Sequence, residues 1–103
     1  MNDIRQTGIK INLDKERKLI YDLNAFCDLE EKYGTVENAM QEIQKGSMLG
    51  IRYFLFLGLK NEDEQITERE VGKLITTENM KNVIDGITKA INISLPEASD
   101  EKK

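Results

Sequence analysis

Met48-Leu49-Gly50-Ile51-Arg52-Tyr53-Phe54-Leu55-Phe56-Leu57-Gly58-Leu59 is the stretch on which the fold turns. Arg52 is its one charge, and Ser47 stands in front of it as a residue able to open a helix. A helix apolar on every side belongs in the centre of a domain or in an interface. Tyr53 to Leu57 alone would also suit a buried strand. The run is far short of the ~20 apolar residues that cross a bilayer, so no membrane partner is expected. The rest of the chain must therefore provide the elements that pack around it.

Upstream, the period is first that of strands. Ile9, Ile11 and Leu13 alternate with Lys10 and Asn12, then Asp14 to Arg17 makes a polar turn, and Leu19 and Tyr21 resume on one face. This reads as a hairpin over Ile9 to Tyr21, although the turn lacks an Asn-Gly or Asp-Gly pair. A two-stranded hairpin is marginal alone and must lie on an apolar surface. After Tyr21 the spacing becomes helical. Asp22 or Asn24 can cap a helix carrying Ala25, Phe26, Leu29 and Tyr33, with Gly34 suited to its C-terminal end. Thr35 can open a second helix with Val36, Ala39, Met40 and Ile43, which Gly46 stops.

Downstream, Lys60 to Gln65 reads as a charged loop. Thr67 with Glu70 three residues on is the capping-box pattern, in front of Val71, Leu74 and Ile75. Thr76 or Thr77 begins the last helix, whose stripe is Met80, Val83, Ile84, Ile87 and Ile91, and Pro96 ends it. The fold class expected is mainly α, a small single-domain helical bundle over residues 1–96 with an N-terminal β-hairpin. Residues 97–103 are expected to form a mobile polar tail. Phe26, Leu29, Leu74, Val83, Ile84, Ile87 and Ile91 should be largely buried.

Composition narrows the function. A chain of 103 residues allows one compact domain. Its 15 basic and 19 acidic residues leave a net charge of −4, which argues against a nucleic-acid partner. There is no histidine, so the commonest acid–base catalyst and metal ligand is missing. The single cysteine, Cys27, has no histidine to activate it and reads as a small residue packed in the core. Glu30 and Glu31 point about 100° apart on a helix and do not converge. The acidic Asn61 to Glu64 lacks the spacing of a calcium loop. Gly46, Gly50 and Gly58 form no phosphate-binding loop. No enzyme activity, metal or cofactor is expected. With no secretory leader evident in the polar Met1 to Gln6, cytoplasmic residence is expected.

A protein without catalytic groups must act by binding, and the central helix is where surplus apolar surface lies. A small domain has few elements with which to cover it, so self-association is expected. Tyr53, Phe54 and Phe56 are the candidate protein-binding residues, because large aromatics tend to carry interface energy when they are not core.

The run Tyr21-Asp22-Leu23-Asn24-Ala25-Phe26-Cys27-Asp28-Leu29-Glu30-Glu31-Lys32-Tyr33-Gly34 resembles the opening of small bacteriophage tail assembly chaperones and related gene-transfer-agent proteins. Ile51-Arg52-Tyr53 with Gly58-Leu59 is similar to that family's arginine-bearing apolar helix. Ile66-Thr67, Glu70-Val71-Gly72 and Leu74-Ile75 resemble its next segment, and Ile87 to Pro96 its last helix. The resemblance spans Ile9 to Pro96 and carries no catalytic residues. It implies a phage or prophage protein of the host cytoplasm that binds the tape measure protein, keeps it soluble and helps recruit tail tube subunits. It also implies that a longer, frameshifted form can accompany the short one. A head–tail joining component and a helical adaptor or regulator are the alternatives.

Overall fold

The computed structural model describes residues 8–94. Two strands, β1 (Ile9–Asn12) and β2 (Glu16–Leu19), precede five helices. These are α1 (Leu23–Tyr33), α2 (Val36–Gln44), α3 (Met48–Leu59), α4 (Glu68–Leu74) and α5 (Met80–Ser94). The chain is thus mainly helical with an N-terminal antiparallel hairpin, as its periodicity indicates. Pro96 and the segment 97–103 lie outside the described residues.

The helix boundaries are written locally. Asp22, Thr35, Ser47 and Thr67 each accept a hydrogen bond from the backbone N–H three residues on, satisfying donors that a helix start leaves free. Thr67 and Glu70 form the full reciprocal box. The last helix begins at Met80, later than either Thr76 or Thr77, and Thr76 closes the turn in front of it. Thr76 exchanges bonds with Asn79 at 2.8 and 3.1 Å, and Asn79 Nδ2 also donates to the Leu74 carbonyl, closing α4. Gly34 and Gly46 follow α1 and α2 with φ of 93° and 81°, conformations that a Cβ disfavours.

α3 is the hub, touching β2, α2, α4 and α5. Ile51, Phe54, Leu55, Leu57 and Leu59 are buried on it. The hairpin lies across the C-terminal end of α3 and over α5. Its docking depends on two glycines inside helices. A Cβ at Gly58 would stand 2.9 Å from both Leu19 Cδ2 and the Tyr21 ring, and one at Gly86 would stand 3.2 Å from Ile11 Cδ1. With those positions bare, Ile11, Leu19 and Tyr21 sink fully into the core. The Tyr21 hydroxyl donates to the Phe54 carbonyl at 2.6 Å, and the Ile20 N–H donates to the Gly58 carbonyl at 3.1 Å. The latter is one of the last carbonyls of α3, which the helix itself leaves without a donor.

Register pairs Ile9 with Leu19 and Asn12 with Glu16, leaving Leu13, Asp14 and Lys15 as the turn. What the turn lacks in glycine it gains from a two-pronged ion pair: Arg17 Nε and Nη2 donate to the two Asp14 oxygens at 2.8 and 2.9 Å. That bond holds the Asp14 carboxyl down at about 2. Arg17 also reaches Asp63 at 3.6 Å, tying the turn to the segment after α3.

Four expectations about burial change. Leu29, Val83, Ile87 and Ile91 are buried, but Phe26, Leu74 and Ile84 are only half-buried. The inward stripe of α5 is rotated toward Gly86, Ala90 and Ser94, because small residues there let the hairpin and α3 approach. Cys27 is exposed instead of packed in the core, since Ala25 and Leu29 take the inward positions of α1.

Candidate protein-binding surface

The hub helix reaches the surface on two sides. The first carries the aromatic residues singled out from the sequence, and the structure separates them. Phe54 is fully buried, so it belongs to the core and is not available to a partner in this fold. Tyr53 and Phe56, one helical turn apart, are half-buried beside Tyr33 from the end of α1. Their rings stand 6.2–6.3 Å apart in a chain running Phe54, Tyr33, Tyr53, Phe56. Lys32 Nζ lies 4.6 Å from the Tyr53 ring centre and Lys60 Nζ 5.2 Å from that of Phe56. A cation over an aromatic face is held there by the ring's quadrupole. Much of this strip is therefore already covered by the chain's own lysines. Burial, and then the carboxylates of Glu42 and Glu68, push the Tyr33 phenol upward. Burial, then Asp28 and Glu68, do the same for Tyr53.

The second side is the first turn of α3, and none of the described residues covers it. Met48 and Leu49 are 67% and 69% exposed, a high figure for adjacent large apolar residues. They border a groove of about 260 Å³ whose other walls are Ile51 and Arg52 of α3, Gly72 of α4, Ile75 and Met80. Gly72 contributes space rather than a side chain: a Cβ there would sit 3.4 Å from Arg52 Cδ. Methionine at both ends suits adaptable contact, because an unbranched thioether chain fills irregular surfaces. Sequence reasoning located the surplus apolar surface within Met48 to Leu59 but chose its aromatic half. Ile75 and Met80 were read as inward-facing, and the structure leaves both half-buried at the groove wall.

A third, polar depression of about 330 Å³ is lined by Asp22, Asp28, Glu64, Lys60 and Asn61, among others. One of its carboxylates has a structural duty. Asp22 caps α1 and accepts from Asn61 Nδ2 at 3.3 Å. Among the described residues no group of three or more His, Cys, Asp or Glu is placed to hold a metal ion, and no helix is long and apolar enough to cross a membrane. The groove offers apolar contact and one flanking cation. Comparison of this chain with protein-family models, with curated proteins and with solved structures finds no match.

Proposed function

We propose that this protein is a bacteriophage or prophage tail assembly chaperone, acting in the host cytoplasm, that holds amphipathic helices of a tape measure protein in the groove beside Met48 and Leu49. The observation that carries the reading is that exposed, methionine-lined groove on an otherwise well-packed helical domain. Support also comes from the sequence resemblance over Ile9 to Pro96. A long helical client presents apolar stripes that would otherwise associate with one another. A chaperone need only offer a competing groove, reversible enough for tail tube subunits to displace it. Affinity then comes from apolar contact and weakens little as salt rises, since salt screens mainly exposed charges. The same uncovered surface supports self-association when no client is present.

Co-expression with a cognate tape measure protein is the direct test. The two should co-purify, and the client should stay soluble. Leu49→Asp, on an exposed position, should leave the thermal melt unchanged and abolish co-purification. If the tape measure protein stays insoluble beside the wild type, the chaperone reading fails and a head–tail joining role replaces it. Light scattering should show association that Leu49→Asp reduces.

A further inference from the structure

The groove is not uniformly apolar, and its one charged wall narrows the kind of helix it takes. Among the described residues, Arg52 is the only charged side chain lining it. The Arg52 Nε is buried and has no hydrogen-bond partner among the described residues. The nearest carboxylate oxygen, Glu68 Oε1, is 3.6 Å away, too far for a hydrogen bond. Glu68 is itself partly exposed, so it can turn to water at little cost. A guanidinium stays charged at all ordinary pH and presents a planar fork that matches a carboxylate. That nitrogen is out of an arriving ligand's reach, but the side chain as a whole is 30% exposed, and a carboxylate on its open side gains a charge-assisted contact.

Resting on the reading of this groove as a helix acceptor, we propose that it selects amphipathic helices bearing an aspartate or glutamate at the edge of their apolar stripe. The stripe lies against Met48, Leu49, Ile75 and Met80, and the flanking carboxylate takes the open side of Arg52. The protein's own net charge of −4 opposes any acidic ligand at long range. A preference for acid at one flank must therefore arise from a local cation, and in the groove wall that cation is Arg52.

The probe is a synthetic amphipathic helix of roughly five turns, with a leucine stripe and glutamine flanks, and a set of variants in which one glutamine at a time becomes glutamate. Binding is read by fluorescence anisotropy. One or two glutamate positions should bind the wild type about fivefold tighter than the all-glutamine peptide. Arg52→Gln should erase that preference, so that the glutamate peptides bind it no tighter than the all-glutamine peptide does. Raising ionic strength to about 1 M, where screening acts over about 3 Å, should shrink the preference and leave basal binding. This arm needs no variant to fold. Equal binding of every peptide overturns the acidic selection and leaves the groove reading standing. Absence of binding by all peptides overturns both. A dimer that Leu49→Asp dissolves and no peptide displaces makes the occupant a second copy, and overturns the proposal likewise.

Discussion

Replacing Gly58 by alanine tests the contact that seats the hairpin. In an ordinary helix this change stabilises by about 0.8–1.0 kcal/mol, because alanine loses less backbone freedom. Here the new methyl would stand 2.9 Å from Leu19 Cδ2 and from Tyr21 Cζ and Oη. Both side chains are fully buried and have nowhere to retreat. Inserting a methyl into such a core costs about 1–3 kcal/mol. Displacing the Tyr21 hydroxyl from the Phe54 carbonyl adds about 1 kcal/mol. The losses exceed the helix-propensity gain, and Gly58→Ala should destabilise by about 1–3 kcal/mol, read as a fall in the urea midpoint at unchanged slope. Gly72→Ala is the internal control, since its methyl would meet only the Arg52 stem at 3.4 Å. It should be neutral or stabilise by up to about 1 kcal/mol. Adding Tyr21→Phe to Gly58→Ala should cost less than the sum of the two singly, because they share one contact. A Gly58→Ala protein as stable as the wild type would refute the idea that close approach of the hairpin requires a bare helix at that point.

Other outcomes follow from the same packing. Ile87→Ala should cost about 2–5 kcal/mol, whereas the half-buried Ile84→Ala should cost less than about 2 kcal/mol, as urea titration of both will show. Burial raises the Tyr21 phenol well above its usual value, with Tyr33 and Tyr53 raised by burial and nearby carboxylates. A raised phenol contributes stability that is whole below the unfolded value of about 10 and is lost as pH climbs beyond it. Absorbance titration should therefore show Tyr21 ionising only as the protein unfolds in alkali. Asp14 is the opposite case, its carboxyl held at about 2 by Arg17. Its contribution is present above the ordinary value of about 3.9 and is lost as pH falls through about 2. Carbon NMR of the Asp14 carboxyl checks that midpoint, and Arg17→Gln should return it toward normal.

Much of this architecture was legible because the helix boundaries are chemical. Thr35, Ser47, Gly34 and Gly46, and the Thr67–Glu70 box, mark their positions by residue type alone, and the structure uses each as marked. Periodicity likewise revealed the hairpin and its inward residues Leu19 and Tyr21. What escaped was rotation about helix axes. Hydrophobic spacing put Ile84 on the inner stripe of α5, but the closest approaches are made at Gly86 and Ala90, whose smallness is a signal only once the partner element is known. The same blindness affected the binding surface. Phe54 and Phe56 are equally apolar neighbours on one helix, yet one is core and the other half-exposed. The exposed pair Met48 and Leu49 sits where α3 begins, before the other elements close around it.

The local caps have a consequence for the order in which the chain assembles. Asp22, Thr35, Ser47, Thr67 and Thr76 each bond a backbone group only three residues away. Helix starts can thus be set in the time of local chain motion, before any distant pairing. Seating the hairpin is different, for Tyr21 must find Phe54, 33 residues along the chain. Closing that loop costs entropy that only the finished contact repays, which makes it a late event on the path to the native state. Stress at Gly58 should then quicken unfolding far more than it slows folding, a division that stopped-flow kinetics resolves into the two arms of the chevron. The hairpin is accordingly the latch of the molecule: last to engage, and the first element whose release opens the helices beneath it.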